Sequence, residues 1–207
     1  MSVDHLPATS PPKRVILWIH GGCFTDGDET WSAKVVKALT DAGAVVCTVS
    51  FPQGEQNPWP AAMPVLEACV ARLAATYAGI PLAIGGESSG AFYACHVGNA
   101  MGIAECVVLA PVLDPYARRA RVSRQKAQKQ LAYFGSDDAM EAATVRSYGG
   151  KLSIICGSED RDASYDASLG NVTLIAGATH AIVGKPTKEV LRAITEAFTL
   201  PLVPNLQ

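Results

Sequence analysis

The 207-residue sequence has no surplus of either charge: seventeen Lys and Arg face nineteen Asp and Glu, leaving a formal charge of -2. That balance excludes a globally basic, nucleic-acid-binding surface, so any polyanion contact has to be local. Long hydrophobic runs are also missing; no stretch approaches the roughly eighteen apolar residues that would span a bilayer. Met1 to Arg14 is polar and proline-rich, without the apolar run and small-residue cleavage site of a secretory signal, and a cytoplasmic protein is the expectation. Internal repeats, low-complexity tracts and flexible interdomain linkers are absent. Charged residues make up only 17% of the chain against 49% aliphatic, aromatic and cysteine, which excludes a disordered or fibrous protein and predicts a single domain over 1-207. The six cysteines do not read as a disulfide framework. Cys47, Cys106 and Cys156 lie in β-branched apolar runs and Cys69 and Cys95 in helix-like stretches, where buried thiols are expected.

What is present is an alternation. Val15 to Ile19, Ala44 to Val49, Leu82 to Gly85, Cys106 to Ala110, Leu152 to Cys156 and Val172 to Ala176 are short continuous runs of Val, Ile and Leu, the pattern of strands buried on both faces. Between them, Trp31 to Ala42, Pro60 to Tyr77, Ser89 to Met101 and Thr187 to Phe198 repeat apolar residues at helical intervals. The order predicts an α/β fold with about six mainly parallel strands and helices on both faces. One connection, Pro111 to Gly150, is long and helical in composition. It leaves the carboxyl end of a strand, where ligands bind in such sheets, and is the expected lid segment.

Gly86-Glu87-Ser88-Ser89-Gly90 fits G-x-S-x-G at a strand-to-helix junction. A sharp turn there exposes the serine and brings backbone segments close, which requires small residues two places either side. A serine hydroxyl needs a base to take its proton. Of four histidines, His5 is in the polar leader 1-13, His20 ends the first strand, and His96 is two turns beyond Ser88 on the same predicted helix. His180, on the loop after the last strand, is the histidine that can approach the turn. Asp160 follows the strand Leu152 to Cys156 at the same sheet edge and is the expected acid orienting His180, with Asp162 and Glu159 competing for that place. His20-Gly21-Gly22-Cys23-Phe24 follows the first strand; its paired glycines let backbone amides approach a ligand, and the amides of Gly22, Cys23 and Ser89 are the expected oxyanion donors.

These motifs, with Asn57-Pro58-Trp59-Pro60-Ala61-Ala62, resemble the α/β-hydrolase superfamily, and within it the hormone-sensitive-lipase-like carboxylesterases and the kynurenine formamidases. The resemblance spans nearly the whole chain from Arg14 and implies Ser-Asp-His acyl transfer without metal or organic cofactor. Two departures stand out: Cys23 replaces the last glycine of the H-G-G-G loop, and Met1 to Lys13 is too short for the family's first two antiparallel strands.

The leading expectation is a serine hydrolase for a small carboxylic ester, with a formamidase-type amidase and a catalytically silent ligand-binding member of the fold as alternatives. No nucleic-acid partner or membrane span is expected. Phe24 and Trp59, with Phe92, are candidates for lining an apolar substrate pocket, and each is equally explained as core. Arg118, Arg119, Arg121, Arg124, Lys126 and Lys129 form a basic run within the lid segment, either an anion-recognition patch or a solvated face balanced by Asp26, Asp28 and Glu29.

Overall fold

The computed structural model describes residues 2–7, 11–203 and 206. Its strands are β1 (Ser2–His5), β2 (Arg14–Ile19), β3 (Ala44–Val49), β4 (Leu82–Glu87), β5 (Glu105–Leu109), β6 (Lys151–Gly157) and β7 (Asn171–Ile175). They form one sheet in the order β1-β3-β2-β4-β5-β6-β7, parallel throughout except for β1, which pairs antiparallel with β3. The six expected strands are therefore joined by a seventh, inside the segment read as a polar leader. Ser2–His5 is too short and polar to announce itself. It is held by the open edge of β3 and by Asp4, whose carboxylate accepts two N–H bonds from Arg72 at 2.7 and 2.9 Å.

The helices are α1 (Ala33–Asp41), α2 (Met63–Thr76), α3 (Ser89–Ala100), α4 (Pro115–Arg119), α5 (Arg124–Phe134), α6 (Asp137–Ala142) and α7 (Lys188–Ala197). Strand alternation sends Val15, Leu17 and Ile19 of β2 into one core with α2 and α3, and Ile16 and Trp18 into a second core with α1 and α7. On α7 and its C-cap, Val190, Ile194 and Phe198 recur every fourth residue and all are buried, while Thr187 caps the other end by accepting from the Val190 amide at 3.3 Å. The apolar run in β7 departs from expectation: as the last strand of the sheet it leaves Val172 and Leu174 exposed.

Two features of this topology position the site. The chain steps outward from β2 to β3, then crosses back over β2 to β4, so the loops leaving the adjacent ends of β2 and β4 diverge and open a crevice. The long segment after β5 folds into α4, α5 and α6, which pack on one another and bury Gln130, Tyr133, Phe134 and Met140. Among the described residues, no helix is long and apolar enough to cross a membrane.

Candidate active site

β4 ends at Glu87, and Ser88 takes φ 53° and ψ -121° before α3 begins. A non-glycine residue in that region costs on the order of 1–3 kcal/mol and persists only where its surroundings hold it. Here the Ser88 amide donates to the Leu109 carbonyl at 2.9 Å, while the Ser88 carbonyl accepts from Ala91 and Val112 at 3.2 and 3.1 Å. Side chains have no room around the turn. A Cβ on Gly86 would fall 2.5 Å from the Gly90 carbonyl oxygen, and one on Gly90 would collide with the carbonyls of Ile19 and His20. The glycine spacing is thus a packing requirement of the bend.

Ser88 Oγ lies 3.0 Å from His180 Nε2, and His180 Nδ1 lies 2.9 and 3.1 Å from the two carboxylate oxygens of Asp160. The Asp160 side chain is fully enclosed, and its Oδ1 also accepts the amides of Asp162 and Ala163 at 2.9 and 3.0 Å. Those bonds fix the carboxylate toward the imidazole, which keeps a quarter of its surface exposed. The two loops are stitched together: Glu159 donates to the Ala178 carbonyl at 2.9 Å, Ser158 to the Ile175 carbonyl at 3.0 Å, and Gly177 to Ser158 Oγ at 2.9 Å. Of the competing acids, Glu159 is exposed, and Asp162 accepts from Lys126 at 2.9 Å and faces Arg118 at 3.7 Å.

The loop after β2 borders the serine directly, since a Cβ on Gly21 would stand 3.0 Å from that of Ser88. Gly22, Cys23 and Phe24 all adopt positive φ, at 140°, 55° and 69°. The Gly22 carbonyl turns back to accept from Thr25 and Asp26 at 3.0 and 3.1 Å. Among the described residues the amides of Gly22, Cys23 and Ser89 make no hydrogen bond to the protein, which leaves them free for a ligand. His20 is buried, with Nδ1 2.6 Å from the Gly21 oxygen and its ring stacked on Phe51; burial lowers its pKa and favours the neutral imidazole. His96 lies apart from the serine, wedged between Trp59 and Phe92, with Nε2 2.8 Å from the Ala143 oxygen.

The aromatic residues behave differently from the expected pocket lining. Phe24 has no exposed surface and packs against Phe92, Tyr93, Tyr133 and Phe134, with centroids 5.2 to 6.0 Å away. It presents nothing to a substrate. Its ring anchors the amide loop to the helices after β5, which is how a bulky residue is held at positive φ. Phe92 is likewise enclosed, and Trp59 is half-buried against it. A groove of about 720 Å³ borders the Asp160 and His180 end of the site, lined by polar loops that include Ser158, Asp160, Arg161, Thr179 and His180.

Two residues beside the site escaped sequence reasoning. Arg118 belongs to the basic run yet is fully buried; it donates to Gln130 Oε1 at 2.9 Å and to the Asp162 carbonyl at 3.2 Å, with Nη2 3.6 Å from Cys23 Sγ. It ties α4 to the acid-bearing loop and to the amide loop. The acids that balance the run are Asp162 and Asp137, which pairs with Arg119, instead of Asp26, Asp28 and Glu29. Nothing in a string of arginines distinguishes the enclosed one.

Glu87 did have a signal, as an acid ending an apolar strand. It is almost wholly buried and accepts from Ser32 Oγ at 2.9 Å, while among the described residues its second oxygen has no protein partner. Burial pushes its pKa up to about 7. A carboxyl whose folded pKa exceeds its unfolded value contributes stability that is complete below the unfolded pKa and lost as pH rises through the folded one. Stability is therefore expected to fall between about pH 4.5 and 7, by up to about 3 kcal/mol from this group. Glu87→Gln should flatten that part of the profile in urea unfolding; an identical slope in both proteins would rule Glu87 out as its source.

Among the described residues, no group of three or more His, Cys, Asp or Glu side chains is placed to hold a metal ion. A family model for the alpha/beta hydrolase fold matches residues 16–202. No curated protein sequence matches the chain. Among solved structures, the chain is similar to a hyperthermophilic esterase from the archaeon Pyrobaculum calidifontis, at 18% identity and a TM-score of 0.79, with 96% of this chain and 79% of that one covered. Esterase LipW from Mycobacterium marinum is similar at 20% identity and a TM-score of 0.74, covering 95% and 77%. A bacterial heroin esterase is similar at 20% identity and a TM-score of 0.73, covering 92% and 76%. At these identities the likeness is one of fold.

Proposed function

The chain belongs to the alpha/beta hydrolase fold family, and from that premise we propose that it is a serine hydrolase of carboxylesterase type, cleaving small carboxylic esters through an acyl-enzyme on Ser88. The observation that carries this reading is the unbroken contact from Ser88 Oγ through His180 to Asp160 beside unused backbone amides. Ser88 Oγ attacks the ester carbonyl while His180 Nε2 takes its proton, and Asp160 holds Nδ1–H and balances the imidazolium. The carbonyl oxygen gains the negative charge and is met by the amides of Gly22, Cys23 and Ser89, each worth about 3 to 4 kcal/mol in comparable sites. His180 then returns the proton to the departing alcohol. Water repeats the sequence on the acyl-enzyme and releases the acid.

Cys23 does not weaken this reading: it occupies the left-handed conformation that glycine takes readily, so the substitution leaves its amide in the loop. A fluorophosphonate probe, with short p-nitrophenyl esters as substrates, tests the proposal. Covalent labelling at Ser88 together with ester turnover is the expected result. A folded protein that neither labels nor turns over esters would favour the silent ligand-binding alternative, and N-formylkynurenine hydrolysis well above the best ester would transfer the assignment to an amidase.

A further inference from the structure

Within the first core, two thiols meet. Cys47 of β3 and Cys69 of α2 point into the same layer, with sulfur atoms 3.6 Å apart. A disulfide bond is about 2.05 Å long, so joining them calls for a closure on the order of 1.5 Å. Arg72, one turn beyond Cys69, places Nη2 3.2 Å from Cys47 Sγ and is itself held by Asp4. The pair is not sealed off: Cys69 and Arg72 line a surface pocket of about 260 Å³ together with Ser2, Val49, Val65 and Ala68. No other thiol combines these features. Cys95 and Cys106 are fully enclosed, and the sulfur of Cys23 neighbours a guanidinium, with no second thiol beside it.

We propose that Cys47 and Cys69 are a redox-responsive dithiol that hydrogen peroxide entering beside Arg72 converts into a disulfide tying β3 to α2. Cys69 is the attacking sulfur. It is the member of the pair that lines the pocket, and its contact with the Cys47 sulfur, with Arg72 alongside, lowers its pKa, whereas the same contact and burial push Cys47 up so that it stays protonated. The Cys69 thiolate attacks one peroxide oxygen and the O–O bond breaks. The oxygen that leaves takes up a proton from solvent and departs as water, and Cys69 becomes a sulfenic acid. Cys47 then attacks that sulfur; the S–S bond forms, the S–O bond breaks, and the hydroxyl leaves with the Cys47 proton as a second water. The two sulfurs lose two electrons in total and the peroxide gains them. This chemistry is independent of Ser88 and stands whether or not the protein hydrolyses esters.

The experiment treats the folded protein with hydrogen peroxide, alkylates the remaining thiols in denaturant, and maps unreduced proteolytic peptides by mass spectrometry. The expected result is loss of two of the six alkylatable cysteines, recovery of a peptide joining Cys47 to Cys69, and restoration of all six by dithiothreitol. The oxidised form should also unfold at a higher temperature, because the cross-link restricts the unfolded chain. Cys69→Ser, where folded by circular dichroism, should retain an alkylatable Cys47; where it does not fold, the wild-type map decides. Six thiols surviving an excess of peroxide, bridged peptides joining any other pair, or a sulfinic Cys69 beside a reduced Cys47 would each overturn the proposal.

Discussion

Replacing Ser88 by alanine is expected to lower kcat/KM for short p-nitrophenyl esters by about 10^4 to 10^6-fold. The fold should be unchanged. The bonds that hold the bend are made by the Ser88 amide and carbonyl, and alanine keeps both. His180→Ala should cost a similar factor, because an alcohol without its base is as inert as no alcohol. The double variant should be little worse than either single one, since each removes the same concerted step. Steady-state kinetics on the three proteins checks this, with circular dichroism to establish folding. Turnover by Ser88→Ala equal to wild type would refute the assignment of the nucleophile.

Asp160→Asn is expected to reduce kcat by about 10^4-fold with a much smaller effect on KM. The amide can offer its N–H to His180 Nδ1, which then presents a protonated Nε2 to the serine and cannot accept its proton. Asp162→Asn keeps the backbone amide that supports Asp160 and removes only the charge facing Lys126 and Arg118, so its kcat should stay within about tenfold of wild type. The comparison separates two acids that lie two residues apart in sequence. The opposite ranking in kcat would give the orienting role to Asp162.

How far the fold could be read in advance depended on what held each element. The parallel strands carried their own signature, because burial on two faces demands unbroken Val, Ile and Leu, and α7 with its C-cap carried its own in Val190, Ile194 and Phe198. β1 carried none: Ser2–His5 becomes a strand through β3 and Arg72, partners far away in sequence. At the candidate site, Ser88, Asp160 and His180 were legible because each follows a recognisable strand, and strand order brings their loops to one rim. Phe24 was misplaced because local sequence does not say whether a ring turns toward solvent or toward other rings; here Tyr133 and Phe134, over a hundred residues away, decide it. Arg118 was hidden among five similar cations, and only Gln130 and Asp162 show why it is inside.

The sheet order divides the assembly unequally. Ser88 and the amide loop leave the central strands β4 and β2, whereas Asp160 and His180 follow β6 and β7, and β7 is a margin with Val172 and Leu174 open to water. Fraying begins at such margins at a lower free energy than whole-molecule melting. On warming, His180 should therefore drift out of reach of Ser88 while the middle of the molecule remains intact, so that any turnover depending on their contact fades reversibly several degrees before ellipticity does. The heat tolerance of the chemistry and that of the body would then be separate properties, the first governed by how firmly the last strand is clasped.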